Sequence, residues 1–327
     1  MQVGIPAAKI TIMNTGFNAR FNTSLMAKQA SDVWYKKVVR TFPSKGESEI
    51  HAWETLVPQL REWIGARQFN NVRARALTVM NRKFEGSLEV PVDKVADDLY
   101  GVFATPKIDR LAESAAKWVD QIVTPIFLYG EAGSYTTSDG IVVSTVTYDG
   151  ESLFSANHPI DPDDISKGVQ SNYYASGCAL TPDNFERVEA DFMSLKGENG
   201  LPLNLIPDTL ICGPKLLKKA RRVLESRLVL GANGSAGSED NVNAGSASIL
   251  MIPELAGLAN TGTWFLAKLK SDIDRAIVFQ DRQAPEFAEQ TLPTSDGVFL
   301  NDMYRYGVKV RGATFGCIWQ TLFKCNP

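Results

Sequence analysis

RQFNNVRARALTVMNRKFEGSLEVP, residues 67–91, is the stretch on which the reading of the whole chain turns. Val72, Ala74 and Ala76 alternate with Arg73 and Arg75; after the polar Asn81-Arg82-Lys83 come Phe84, then Leu88 and Val90 spaced by Ser87 and Glu89. Period-two alternation marks half-buried strands. The spacing therefore predicts two strands joined by a turn, with no covering partner in the neighbouring sequence. A lone hairpin is marginal in water, and an exposed one invites pairing with another chain. A basic hairpin in a chain without a catalytic constellation points to a protein that assembles with copies of itself.

Working outward, the chain has 327 residues, 44% of them hydrophobic, enough for two domains or one elaborated domain with a sizeable core. It carries no run of about 18 apolar residues, the minimum for a membrane span. Met1-Gln2-Val3-Gly4-Ile5-Pro6 lacks the charged and apolar regions of a secretory signal. Cys178, Cys212, Cys317 and Cys325 form no CxxC pair and read as reduced thiols. Residues 1–95 hold 14 Lys/Arg against 8 Asp/Glu, and the rest 20 against 29. A basic first third and an acidic remainder attract each other between copies as well as within one.

Residues 1–45 read as an arm, polar through Asn14, Asn18, Asn22 and Thr23, with a short helix from Ser31 to Val39. Such an arm buries little apolar surface of its own and needs a neighbour to order it. His51 to Gly65, with Trp53, Leu56, Leu60, Trp63 and Ile64, suits a short amphipathic turn. The strongest helix runs from Pro106 to Leu128: Ile108, Leu111, Ala115, Val119, Ile122, Val123 and Ile126 recur at three- and four-residue steps. Pro125 is expected to kink or end its last turn. Thr181 as N-cap and Pro182 at the first helical position open a second helix, and Gly213-Pro214 a third that runs to about Leu228. Gly231 to Ser248 reads as a low-complexity loop without core residues. Strands are predicted at Ile141–Thr147, Leu210–Cys212, Ile249–Ile252, Trp264–Leu266, Ala276–Phe279 and across Phe299–Phe323. Helices and strands interleave without a regular βαβ rhythm, so the fold class is α+β.

The sequence holds few residues in patterns that could carry chemistry. His158, with Ser155 and Asp161 close by, suggests a Ser-His-Asp relay, but working triads draw on separate parts of a fold. An exposed turn with a Pro-fixed backbone explains the same residues. His51 stands alone, so no zinc ligand set forms. Asp161, Asp163 and Asp164 lack the spacing, mid-loop Gly and closing Glu of a calcium loop. The helix Pro214–Leu228 sets Lys215, Lys218, Lys219, Arg221, Arg222 and Arg227 opposite an apolar face. That basic face is either simply solvated or touches nucleic acid or acidic neighbours. No cofactor, metal or catalytic residue is assigned.

The order of several blocks resembles the major head (capsid) proteins of Mu-like tailed bacteriophages, which adopt the Hong Kong 97-like capsid fold. The blocks are Leu60-Arg61-Glu62-Trp63-Ile64-Gly65-Ala66-Arg67, Asn81-Arg82-Lys83-Phe84-Glu85-Gly86, and Tyr148-Asp149-Gly150 with Leu153-Phe154 and His158-Pro159. Leu180-Thr181, Phe192-Met193-Ser194 and Gly197 follow, then Phe279-Gln280-Asp281-Arg282 with Pro285-Glu286. Last come Val298-Phe299, Tyr306-Gly307-Val308, Arg311-Gly312, Phe315-Gly316 and Trp319-Gln320.

The resemblance implies an N-terminal arm over residues 1–45, an extended loop over 46–95, a peripheral domain from 96–131 and 276–327 with a long spine helix, and an axial domain over 132–275. It implies a non-enzymatic shell subunit that builds pentamers and hexamers of an icosahedral capsid around double-stranded DNA. Scaffold, portal and decoration proteins would be its partners, with the DNA contacted non-specifically and no membrane involved; assembly would take place in the host cytoplasm. No Lys–Asn crosslinking pair can be assigned, so non-covalent stabilisation is expected. On this reading Arg67, Arg73, Arg75, Arg82, Lys83, Phe84 and Leu88 are the expected intersubunit contacts, and replacing Phe84 and Leu88 by Asp should leave soluble capsomers or monomers. An encapsulin-like compartment shell, a decoration or adhesion protein, and a serine hydrolase are the alternatives.

Overall fold

The computed structural model describes residues 7–54, 74–97, 105–230, 238–273 and 275–327. Four helices matter here: α1 (Ala7–Ser31), α2 (Thr105–Tyr129), α3 (Pro182–Met193) and α4 (Leu217–Leu224). The strands that place them are β1 (Val39–Pro43), β2 (Ser48–Glu54), β3 (Ala74–Met80), β4 (Arg82–Pro91), β5 (Thr209–Cys212), β6 (Ser248–Met251), β7 (Trp264–Ala267), β8 (Ile277–Gln290), β9 (Met303–Gly316) and β10 (Leu322–Cys325). The class is mixed α+β, as the interleaving predicts. No described helix is long and apolar enough to cross a membrane.

Two sheets carry the body. The first has four strands in the order β1-β8-β9-β4, with β1 parallel to β8 and the rest antiparallel. The second has five, in the order β6, β5, β7, β10 and the short strand Tyr173–Tyr174. β10 thus leaves the C-terminal segments it follows in sequence and pairs with β7. β8 runs eleven residues beyond the predicted Phe279. Its second half is largely exposed, and Pro285 falls at a register shift between Gln283 and Glu286, where a lost donor is tolerated.

α2 joins the two cores. Its first half, Ile108, Leu111, Ala112, Ala115 and Ala116, packs with Tyr304, Tyr306 and Val308 of β9. Its second half, Trp118 to Phe127, belongs to the large core that holds the five-stranded sheet. Pro125 does not end the helix, which continues to Tyr129. Lys324 of β10 is buried beneath that end, donating to Phe127 O (3.1 Å), Leu128 O (3.4 Å) and Glu131 Oε2 (2.6 Å). A cation on the last carbonyls of a helix satisfies orphan acceptors and the negative end of the dipole.

Two expectations are corrected here. The N-terminal segment is not an arm awaiting a neighbour; α1 lies on α2 of the same chain. Phe17, Phe21 and Leu25 are buried, Phe17 meets Tyr306 edge-on at 5.5 Å, and Arg20 binds Asp109 at 2.6 Å. The signal was a narrow four-residue repeat, Met13-Phe17-Phe21-Leu25, hidden among Asn and Thr. The low-complexity segment is also partly anchored. Asn241 is buried and its amide donates to Val223 O and Ser226 O at 2.8 Å, closing the end of α4. α4 itself stops at Leu224, four residues before the predicted Leu228.

Candidate assembly surface

The predicted hairpin exists as two strands that do not pair with each other. β3 pairs instead with β2, Ser48 opposite Met80 through Glu54 opposite Ala74. β4 pairs with β9, Val90 opposite Tyr304 and Phe84 opposite Val310. Of the expected polar turn Asn81-Arg82-Lys83, only Asn81 lies outside a strand, between two different sheets. The period-two pattern was sound, because exposure does alternate along β4. What failed was the assumption that adjacent strands pair: β4 found a 14-residue partner from the far end of the chain. The amphipathic turn expected from His51 begins as the end of β2, and its remainder lies outside the described residues.

This relocates the candidate contact residues. Phe84 is half-buried with its ring 5.4 Å from Trp118 of α2, and Leu88 packs into the core beneath α1 and α2. Both serve their own chain, so replacing them by Asp would damage the fold before it could report on assembly. Arg82 is half-buried and lays its guanidinium over the Phe84 ring at 4.9 Å. Lys83 is exposed. Arg75 sits opposite Trp53 in the β2–β3 register. Arg67 and Arg73 lie outside the described residues.

The β2–β3 ribbon is fixed at its root by polar groups. Gln280 of β8 is fully buried. Its amide donates to Asn81 Oδ1 at 2.8 Å and Val79 O at 3.4 Å, and its carbonyl lies 2.9 Å from Nε2 of His51. A Cβ on Gly312 would come within 2.6 Å of the Gln280 backbone carbonyl oxygen, so only glycine allows β9 to pass this close. Asn81 donates to Ser44 Oγ and Gly46 O, while Glu49 Oε1 accepts from Lys45 N, Gly46 N and Ser44 Oγ. Those donors, the two backbone amides first, pull the Glu49 carboxyl down to about 2. His51 also packs between Phe42 and Phe315. Asn81, Gln280 and His51 carried no sequence signal beyond their types, because their partners lie some 35 to 230 positions away.

One face of the ribbon packs through Leu77 and Val79 on Val278 and Phe315, and the other, where described, is uncovered. Ile50 is 69% and Met80 65% exposed. Beside it, β3, β9 and the hairpin strand Val142–Ser144 enclose an apolar groove of about 330 Å³, whose lining includes Met80, Val142 and Phe315. Val142 is itself 67% exposed. Contiguous exposed apolar side chains on a folded surface mark an interaction site.

The chemistry considered around His158 takes another form. His158 is fully buried, not an exposed turn: its ring stacks on Trp319 at 4.0 Å and Nδ1 meets Asp149 Oδ2 at 2.7 Å. Burial alone would raise the Asp149 carboxyl, but hydrogen bonds from His158 and Thr147 hold it below its ordinary value. Ser155 donates to Glu151 at 2.9 Å and Asp161 pairs with Lys167 at 2.8 Å. The three triad candidates therefore have three separate partners. Among the described residues no His/Cys/Asp/Glu group could hold a metal ion, and all four cysteines are free and buried.

A family profile described as "Mu-like prophage major head subunit gpT" matches residues 10–179, 173–255 and 254–326. The major capsid protein of Escherichia phage Mu is 26% identical over 188 residues, 58% of this chain and 52% of that protein. The Mu-like prophage FluMu major head subunit of Haemophilus influenzae is 22% identical over 305 residues, 93% of this chain and 69% of the relative. The match thus spans about half the length of the phage Mu protein. Among solved structures, a subunit of the procapsid of bacteriophage JBD30 superimposes with a TM-score of 0.54 at 19% identity, over 99% of this chain and 76% of that one. The fold is therefore the Hong Kong 97-like capsid fold that the blocks of sequence suggested.

Proposed function

The chain belongs to the Mu-like prophage major head subunit gpT family, and from that premise we propose that it is the shell-building subunit of a tailed-phage head. The family is structural, not enzymatic, so Ser155 and His158 receive no catalytic role. On this reading many copies form pentamers and hexamers of a closed icosahedral capsid around double-stranded DNA, in the host cytoplasm. Scaffold, portal and decoration proteins act alongside. The observation that carries the proposal is the family match, which runs in order along nearly the whole chain.

The β2–β3 ribbon takes the part of the extended loop. The four-stranded sheet with α2 takes that of the peripheral domain, and the five-stranded sheet that of the axial domain. Arg67, Arg73, Arg75 and Lys83 remain proposed charge contacts to a neighbour. A rim ion pair contributes only about 0–1 kcal/mol, so the exposed apolar ribbon and repetition must supply the rest. Expression of the full chain, followed by electron microscopy and native mass spectrometry, tests this. Rings or closed shells are expected; a compact monomer at every concentration tried would overturn it.

A further inference from the structure

Two helices of opposite charge pack over the five-stranded sheet, one toward each end of its strand order. α4 packs against β5 and β6, at one end of the strand order. α3 lies toward the other end: Phe185 meets Trp264 of β7 at 6.3 Å, and Phe192 meets Phe323 of β10 at 4.8 Å. Between them runs a short polar link. Asn243 donates to Glu186 of α3 at 2.8 Å, and Asn241 closes the end of α4. The two helices thus lie over different ends of the strand order.

The outer face of α4 and its leading turn is basic. Lys215, Lys218, Lys219 and Arg222 recur at three- and four-residue steps, and all four are exposed. The cation beside them, Arg221, reaches only Glu225 of its own helix, at 3.8 Å. The outer face of α3 is acidic. Asp183, Glu186 and Glu189 follow at three-residue steps, the first two exposed. Asp191 is already bonded to the Tyr174 hydroxyl, and the lone cation of α3, Arg187, lies over the Tyr174 ring at 5.3 Å. Burial, and then the like charge of Glu186, holds the Glu189 carboxyl above its ordinary value. Among the described residues no ion pair joins α4 to α3 within the chain.

Two faces of opposite sign over opposite ends of one sheet, with no ion pair between them among the described residues, suit a head-to-tail contact. An isologous dimer can pair the two faces only if both lie in one patch across the two-fold axis, whereas rotation about a ring lets each face meet the other on successive copies. A polyanion is a poorer occupant. The acidic helix on the same sheet repels phosphate, and no aromatic side chain is interleaved with the α4 cations to stack a base. We propose that the basic face of α4 in one copy docks on the acidic face of α3 in the next, repeating around each capsomer. This rests on the shell-subunit reading and names the surfaces that set subunit register within it. Charge complementarity of this kind fixes register and speeds encounter more than it adds affinity.

The test is charge reversal with rescue in the full-length chain. One variant carries Lys218→Glu, Lys219→Glu and Arg222→Glu; a second carries Glu186→Lys and Glu189→Lys; a third carries all five. Each of the first two should lower the yield of rings and shells about tenfold or more, with unchanged circular dichroism. The five-fold variant should recover yield to within about threefold of the unsubstituted chain. If the α4 reversal misfolds, Lys218→Gln with Lys219→Gln should give a smaller loss that added salt does not deepen. Normal assembly of the α4 reversal overturns the contact, and so does a folded five-fold variant that fails to recover. An α4 reversal that builds shells normally but retains less DNA overturns it in favour of nucleic acid. Failure of the unsubstituted chain to form rings or shells overturns the shell reading itself, and is seen before any substitution is made.

Discussion

In the five-stranded sheet, Trp264, Phe265 and Phe323 are fully buried against the aromatic rings of α2, α3 and the segment around Phe154. At the root of the β2–β3 ribbon the buried centre is an amide, Gln280, and the ties are hydrogen bonds to Asn81, Val79 and His51. The first region is held by area removed from water, which is non-directional and insensitive to small displacements. The second adds to a small apolar cluster, Leu77 and Val79 on Val278 and Phe315, a few directional bonds each contributing only about 1 kcal/mol net. One chain therefore has a body that is complete alone and a projection that is aimed precisely but covered poorly. A subunit that must fold first and assemble later needs both.

The largest expected effect lies in the body. Phe265→Ala empties a site between Phe127 and Phe154 and should cost about 3–5 kcal/mol in urea denaturation. A loss below about 1 kcal/mol would mean that this core is less closely packed than the ring contacts indicate.

The next effect depends on pH. Asp120 of α2 is buried and accepts from Tyr35 N at 2.8 Å while its second oxygen has no partner, and burial raises its carboxyl to about 6. Folded chains keep that proton up to about pH 6, whereas unfolded chains release it near 3.8. The folded state binds more protons in that window, so stability falls as pH rises through it. Asp120→Asn, neutral throughout, should gain up to about 3 kcal/mol at pH 7.5 and little at pH 4, read as a pH-dependent difference in unfolding midpoint.

A smaller loss is expected at the ribbon root. Gln280→Ala leaves Asn81 and Val79 without a buried partner, at a cost of about 1–3 kcal/mol. Its signature is local: amide exchange should quicken in β2 and β3 and stay unchanged in the five-stranded sheet. Uniform quickening would erase the contrast between the two regions.

The least effect on stability sharpens the comparison most. Ile50→Glu with Met80→Glu alters two exposed side chains and should shift stability by no more than about 0.5 kcal/mol. It should nonetheless abolish closed particles in electron micrographs. Unimpaired assembly would show that the ribbon's apolar face has no partner.

Much of this was legible in local patterns. The apolar steps of Ile108 to Ile126, the Thr181-Pro182 cap, and the alternation of Phe84, Leu88 and Val90 all set structure over a few residues, where periodicity and propensity act. α1 was missed because its four-residue stripe is narrow and its neighbours are polar. The second half of β8 was missed because Pro285 sits at a bulge that only its pairing with β9 explains.

Pairing and partnership were decided elsewhere. Which strand covers β4, which carbonyls Lys324 caps, and why Gln280 and Asn81 belong together are contacts between positions about 200 residues apart. A periodic pattern states that a face must be buried but not against what. That choice is made by the packing of the whole chain, where shape, burial and the need to satisfy every buried polar group act together.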